Sequence, residues 1–426
     1  MTGRSAVTLV GIGDDGCVGL TSRALGAVTR AQVLVGGERQ LAFFPEHAGE
    51  RIVLKAGLGA ALERVAELAE DRNVCILASG DPLFFGIGRL VLDKLGAAHV
   101  EVIAQPSSVQ LAFARAGLPW DDAVVISLHG RPIEGCVIRL ARHAKVAILT
   151  DEERSPARIA ARMLAYGETA WRAWVCEALG GPDERVRPFT LGDLAAATDI
   201  GPLNVLVLVR SDRGWRPPPR IPFLHEDAFA RRMPKKGLIT KREVRVLSLA
   251  ALAIRDDSVV WDIGAGSGSV SIEAALLAPE GRVYAIEVDP EGVPLCEANA
   301  RAHGTDNVRV IAGRAPEVLA ALEAPDAVFV GGSKGSMTAI VDVALDRLRP
   351  GGRLVVNAVT LENAGETYQA IRARGLVPEV TLLQVARAEP LAHYLRYEAL
   401  NPIQIFAVTR PEAGATAAAL VQGPQR

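Results

Sequence analysis

Apolar positions along the chain fall into two alternating rhythms. Short β-type runs occur at "AVTLVGIG" (6–13), "AQVLVGG" (31–37), "NVCILAS" (73–79), "HVEVIA" (99–104), "AVVISL" (123–128), "KVAILT" (145–150) and "PLNVLVLVR" (202–210). Between them lie helix-period stretches such as "LGAALERVAELAEDR", with Leu, Val and Leu at helical spacing. Continuous apolar strands alternating with helices predict a largely parallel, buried sheet. The alternation is cleaner further on. "SVVWDIG", "RVYAIEVD", "VRVIAG", "DAVFVGG" and "RLVVNAV" read as five strands, separated by the helix patterns "VSIEAALLA", "GVPLCEANARAHG", "APEVLAALE" and "MTAIVDVALDRL". Two further strands are expected near "VPEVTLLQVAR" and "IQIFAVT". Five βα units closed by a strand pair predict an open, doubly wound sheet.

The two patterns meet at "SDRGWRPPPRIP" (211–222), whose three consecutive prolines forbid helix and favour an extended spacer. A chain of 426 residues exceeds one compact core. The expected organisation is therefore a domain over 1–210, a linker over 211–225, a second domain over 226–410 and a flexible tail over 411–426.

Composition narrows the function classes. A formal net charge of −2 offers no broad basic field for nucleic acid. The five cysteines, Cys17, Cys75, Cys136, Cys176 and Cys296, include no CxxC pair, so neither a disulfide framework nor a metal site is signalled. The N-terminus shows no signal-peptide pattern, and the apolar runs stop short of membrane-spanning length. A soluble cytoplasmic protein without membrane contact is expected.

The chemistry concentrates in "VVWDIGAGSGSVSIE" (259–273). A dinucleotide fingerprint needs its third glycine five positions after the first, and Ser269 stands there. A triphosphate loop needs a lysine that this turn lacks. Gly264, Gly266 and Gly268 after Asp262 suit a ligand that approaches the backbone closely and offers a cation or hydroxyl to the acid. S-adenosylmethionine has an ammonium, a sulfonium and a ribose. "VYAIEVD" places Glu287 and Asp289 at the second strand's tip, a position for ribose hydroxyls. Gly313, Arg314 and Ala315 end the third strand, where an adenine can lie against backbone.

With "LITKREVR", "GRAPE", "FVGGSKG", "RLVVNAVTLEN" and "ARAEPLAHYLRYEALNPIQIF", these segments make residues 233–409 resemble the class I S-adenosylmethionine-dependent methyltransferases, in particular the decarboxylating precorrin methyltransferases of cobalamin synthesis. Many class I members hold the adenine amino group with an acid after the third-strand glycine; Arg314 occupies that place here. In the N-terminal half, "VGIGDDG" fails the triphosphate test because Cys17 replaces the lysine. "ILASGDPLFFGIG" follows a strand with a forced Asp-Pro turn, and "QPSSVQLAFARAGLPWDDAVVISLHGR" comes after it. Residues 6–210 thus resemble the class III tetrapyrrole methyltransferases, a two-lobed α/β fold.

The resemblances imply a bifunctional enzyme with two S-adenosylmethionine sites. It would methylate precorrin-6B at C-5 and C-15 and remove carbon dioxide from the ring C acetate (on C-12), giving precorrin-8X. The N-terminal site would lie between two lobes, with Gly80, Asp81, Phe85, Ser107, Ser108 and Leu179 as cofactor contacts. A polycarboxylate substrate calls for cations. "RRMPKKGLITKR" supplies Lys235, Lys236, Thr240, Lys241 and Arg242 as a lid, with Thr240 also placed to touch cofactor. Asn357 follows the fifth strand, Arg387, His393, Tyr394 and Arg396 lie between the last two, and His129 and Arg131 are the N-terminal counterparts. Residues touching the reacting atoms are sought among Asn357, Lys241, Arg242 and Thr240. Methyl transfer to a ring carbon needs positioning and desolvation more than an acid, a base or a metal. The family resemblance also implies association into a dimer or tetramer. An RNA methyltransferase and a non-catalytic S-adenosylmethionine sensor are the competing classes.

Overall fold

The computed structural model describes residues 7–54, 58–212, 214–219, 223–231 and 239–412. Lys235 and Lys236 lie outside the described residues. The chain divides into two compact units, Met1–Arg131 with His143–Ala161 and Ala170–Trp215, and Pro132–Arg142 with Arg162–Thr169 and Arg216–Arg426.

The first unit holds two five-stranded sheets. Strands β1 (Val7–Ile12), β2 (Val33–Gly36), β3 (Glu50–Val53), β4 (Val74–Ser79) and β5 (Val100–Ile103) are ordered β3-β2-β4-β1-β5 and pair only in parallel. β1 and β4 bury nearly every residue, as their unbroken apolar runs require. The second sheet contains β6 (Val124–Ser127), β7 (Lys145–Leu149), β8 (Trp171–Glu177), β9 (Arg185–Thr190) and β10 (Asn204–Arg210), in the order β6-β7-β10-β8-β9. Here only β6 and β7 run parallel, and the other three pairs are antiparallel. The parallel expectation fails because an apolar run reports burial and not direction. The short 178–184 connection makes β8 and β9 a hairpin, and a parallel neighbour needs a longer crossover.

The second unit is built on β11 (Val259–Ile263), β12 (Arg282–Glu287), β13 (Val308–Ala312), β14 (Ala327–Val330), β15 (Arg353–Ala358), β16 (Glu379–Leu383), β17 (Ala386–Leu391), β18 (Tyr394–Ala399) and β19 (Ile403–Thr409). Seven of these form one sheet, β13-β12-β11-β14-β15-β19-β16, parallel except for β19. Chain order reverses between β11 and β14, which opens a crevice at their carboxyl ends. Trp261 and Ile263 pack into the core on one face and Val260 into that on the other. The strand expected near "VPEVTLLQVAR" is β16, which stops at Leu383, and a separate hairpin, β17–β18, follows that the sequence did not signal. One expectation is corrected: "APEVLAALE" forms only a 3-10 turn over Glu317–Ala321.

The helix Ser269–Leu277 buries almost all of its circumference, so its Glu273 needs a partner. Arg245, from the helix Arg242–Leu252, supplies it with two hydrogen bonds of 3.1 and 3.0 Å, and both side chains are fully buried. The remaining guanidinium N–H groups donate to the Thr240 and Leu224 carbonyls, and the Leu224 N–H donates to Glu273. This pair ties the segments around Leu224 and Thr240 onto the sheet. Removing one partner of a buried ion pair typically costs about 3–5 kcal/mol. Arg245→Met is expected to destabilise the full chain by that order in urea unfolding, and Arg245→Met with Glu273→Leu to recover most of the loss.

Candidate active sites in two cavities

A cavity of about 790 Å³ opens over the crevice of the second unit. Its floor is the turn after β11, where Gly264, Gly266 and Gly268 take φ of 78°, 57° and 80°, a region that favours glycine. A Cβ on Gly264 would stand 2.8 Å from the Gly332 nitrogen, so the turn packs backbone to backbone against the β14 tip. Asp262, at the end of β11, lies beneath this turn and is 1 % exposed. Its Oδ2 accepts from the Ser271 hydroxyl, and its Oδ1 has no partner. Burial pushes its carboxyl up to about 7, the Ser271 hydrogen bonds oppose this, and the charge of Glu287 adds to it.

Glu287, at the end of β12, orders the turn. Its Oε2 accepts from the Gly266 N–H at 2.6 Å and its Oε1 from the Asp289 N–H at 2.7 Å. Each oxygen keeps a lone pair for a hydroxyl. The cavity wall further contains Thr240, Lys241, Gly313, Arg314, Ala315 and Asn357. Asn357 exchanges hydrogen bonds of 3.1 and 3.0 Å with the buried Ser248 hydroxyl. The Arg314 guanidinium donates to the Lys334 carbonyl at 2.9 Å and to the Ser336 hydroxyl at 3.3 Å. The sequence-predicted residues Thr240, Lys241, Gly264, Gly266, Glu287, Gly313, Arg314, Ala315 and Asn357 are thus brought together in the wall, while Gly268, at the end of the turn, and Asp262, beneath it, are not part of the lining.

Other candidates stand elsewhere. Arg242 engages Glu226 through its backbone N–H, at 2.7 Å, and is not part of the wall. Arg387 bridges Glu226 and Glu243, with bonds of 2.9 Å to each Glu226 oxygen and 3.2 Å to Glu243. It therefore clips the hairpin to the Arg242–Leu252 helix and does not line the cavity. Burial pushes Glu226 up, but Arg387 and the Arg242 N–H outweigh this and hold it at about 2. His393 lies in the β17–β18 turn and Arg396 on β18, both exposed and outside the wall. Sequence reasoning singled out neither Ser333 nor Lys334, which do line the cavity. The glycines around them in "GGSKG" were the available signal.

A second cavity, of about 820 Å³, lies in the first unit. It is lined by the tips of β1 and β4, by Pro106 and Ser108, and by residues at the ends of β6, β7, β8 and the start of β10. Gly80, Phe85, Ser108, Leu179, His129 and Arg131 meet there. β1 and β4 approach so closely that a Cβ on Gly11 would fall 2.0 Å from the Gly80 oxygen. Phe85 takes φ +53°, a strained value for an aromatic residue, and rests edge-on against Phe84. Asp81 and Ser107 hold the loops without entering the wall. The Asp81 Oδ1 accepts from the Leu83 N–H at 2.9 Å, and Ser107 caps the helix Ser108–Ala116 in a reciprocal box with Gln110. His129 is held to the Thr150 carbonyl, with 3.3 Å between its Nδ1 and that oxygen. Asp14, Arg39 and Arg89 complete the charged lining, with Asp14 and Arg39 paired at 3.2 Å. Sequence reasoning missed these three.

The seven-stranded sheet with an acid below a glycine turn and a second acid on the next strand tip is a class I methyltransferase frame. The paired five-stranded sheets around the Gly80 loop form a tetrapyrrole methylase frame. Family models agree. Residues 6–195 match the tetrapyrrole (corrin/porphyrin) methylases, and residues 231–410 match the precorrin methyltransferase domain. A precorrin-6Y C(5,15)-methyltransferase [decarboxylating] from Sinorhizobium sp is 37% identical over 95% of this chain and 96% of its own. A probable cobalt-precorrin-6B C(15)-methyltransferase (decarboxylating) from Pyrobaculum calidifontis is 43% identical over 39% of this chain and 87% of its own. A cobalt-precorrin-7 C(5)-methyltransferase from Salmonella typhimurium is 40% identical over 47% of this chain and 98% of its own. The chain belongs to the family of decarboxylating precorrin-6Y C5,15-methyltransferases. Methyltransferase families of this kind use S-adenosylmethionine. Among the described residues, no helix is long and apolar enough to cross a membrane.

The Asp262 carboxyl fixes a pH signature. Its folded-state value of about 7 lies above the ordinary 3.8, so the folded chain holds this proton more tightly than the unfolded chain. Its contribution to stability therefore falls as pH rises from about 4 to about 7 and levels off above. Asp262→Asn is expected to raise the Tm at pH 8, with a gain that shrinks towards pH 5, in calorimetric scans of the protein without ligand.

Proposed function

We propose that the chain carries two S-adenosylmethionine sites, one in each cavity, serving a single precorrin. A domain over 1–210 methylates precorrin-6B at C-5. A domain over 226–410, after a linker at 211–225 and before a tail at 411–426, methylates C-15 and releases the ring C acetate carboxyl as carbon dioxide, giving precorrin-8X. The observation that carries this reading for the C-terminal cavity is the unpartnered, buried Oδ1 of Asp262 beneath three positive-φ glycines. A buried acid without a counter-ion, whose ionisation burial opposes, fits a ligand that brings a cation. The relatives divide in the same sense: one protein is named for C(15) methylation with decarboxylation and a separate one for C(5) methylation.

The fit is chemical as well as spatial. Cavities of this size suit a cofactor with part of a substrate. Bound there, S-adenosylmethionine supplies an electrophilic methyl group. Glu287 receives the ribose hydroxyls while fixing the Gly266 backbone. Gly264 and Gly266 admit the ligand to the turn, the backbone of Gly313, Arg314 and Ala315 borders the adenine while the Arg314 guanidinium faces the Lys334 loop, and Asp262 supplies the buried negative charge. Thr240, Lys241 and Asn357 orient the ring, with Ser248 holding the Asn357 amide. In the first unit, Gly80, Phe85, Ser108 and Leu179 serve the cofactor, and His129 and Arg131 face the ring carboxylates. The tetrapyrrole itself is the electron sink for loss of carbon dioxide. We further infer a cytoplasmic homo-oligomer with no nucleic-acid substrate, in keeping with the net charge of −2.

Two measurements test the reading. Mass spectrometry after incubation with precorrin-6B and S-adenosylmethionine should show the gain of two methyl groups and the loss of one carbon dioxide. Calorimetric titration with S-adenosylhomocysteine should give two equivalents for the wild type and one for Asp262→Asn. That variant should retain one methylation and lose carbon dioxide release. A single equivalent in the wild type would defeat the two-site proposal.

A further inference from the structure

The loop after β14 reads Gly331-Gly332-Ser333-Lys334-Gly335, and its strained residue is not one of the glycines but Lys334, at φ +50°. A non-glycine residue in this region is disfavoured, and such outliers persist only where surrounding contacts enforce them. The enforcing contact is the Arg314 guanidinium, which grips the Lys334 carbonyl at 2.9 Å and the Ser336 hydroxyl at 3.3 Å. Glycine at 334 would adopt this backbone without strain, so the turn alone does not explain a lysine. Lys334 lines the cavity and is exposed, and among the described residues its ammonium has no carboxylate partner.

We propose that Lys334, positioned by Arg314, binds a carboxylate of the tetrapyrrole in the C-terminal cavity. This rests on the functional reading above. It also explains why an arginine occupies the third-strand position, since Arg314 serves the facing loop. The carboxylate concerned is one that the product retains. An ammonium on the departing carboxylate would stabilise the charged ground state more than neutral carbon dioxide, and would slow its loss. Lys334 therefore acts on binding and not on the bond-breaking step.

The test follows carbon dioxide release from precorrin-6B, with S-adenosylhomocysteine affinity as a second readout. Lys334→Gly removes the charge and relieves the strain. It is expected to raise KM about tenfold, the scale of one charge-assisted hydrogen bond, with kcat and S-adenosylhomocysteine affinity near wild type. Lys334→Arg keeps the charge and is expected to hold KM within about threefold of wild type. Arg314→Ala should raise KM in the wild-type background and add little to Lys334→Gly, the non-additivity expected of residues acting as one unit. An unchanged KM in Lys334→Gly overturns the proposal and leaves the family activity standing. A wild type that releases no carbon dioxide from precorrin-6B overturns the functional reading, and this proposal with it.

Discussion

A carboxylate buried with one oxygen unpartnered is a cost that the surrounding fold must carry, and Asp262 imposes it on the second unit. β11 is covered on both faces, so the side chain has no route to water. Its Ser271 contact satisfies one oxygen, and the nearby Glu287 makes the field more negative. The turn above cannot relieve the site with side chains of its own. Gly264 is pressed against Gly332, and a Cβ on Gly268 would meet the Cys296 sulfur at 2.5 Å. Burial thus opposes ionisation of this carboxyl. The turn above it leaves the cavity open on its other side.

The side wall is held by a second set of charges, all internally satisfied. Arg245 and Glu273 anchor the carbonyl of Thr240 and both polar backbone groups of Leu224. Asn299 grips Ala230 at its N–H and carbonyl and reaches the Ser267 carbonyl at 2.8 Å, joining that strap to the glycine turn. Glu226 collects the Arg242 N–H and Arg387. Because its carboxyl sits at about 2 against an ordinary 4.5, the stability from this node is complete above about pH 4.5 and is lost only as pH falls towards 2. These polar residues stand behind the wall as scaffolding, and Arg387, a substrate candidate in sequence, is one of them.

Legibility in the sequence followed the physics of each signal. β11 to β15 were readable because buried parallel strands are continuous apolar runs, and the glycine turn because its spacing excluded the phosphate motifs. Asp262 and Glu287 were readable from their places at strand tips. Strand direction in the first unit was not, since a continuous apolar run such as β10 reports burial alone, and β8, with Arg172 and Glu177 among its apolar residues, was not singled out as a strand. The β17–β18 hairpin was hidden because its exposed residues carry no burial pattern. Asp81 and Ser107 sit where the motif puts them, yet their polar atoms close local turns. Lys334 was invisible as a special residue because its distinction is a backbone angle set by Arg314 from another loop.

The charges that line the two cavities are arranged in different ways. In the second unit the acids Asp262 and Glu287 belong to the sheet tips and are tied down by Ser271 and by backbone N–H groups. Lys241 and Lys334 come from separate segments and have no carboxylate partner among the described residues. Had either lysine reached Glu287, the pair would have neutralised both charges in the cavity. In the first unit Asp14 and Arg39 do pair, and the free polarity of the wall shifts towards Arg89, His129 and Arg131. There the strained Gly80–Phe85 loop, not a buried acid, supplies the close backbone approach. In the second unit acids and lysines stand on different elements without an ion pair among the described residues, so that cavity presents both signs, whereas in the first unit the one lining acid is paired and the remaining charged side chains are cationic.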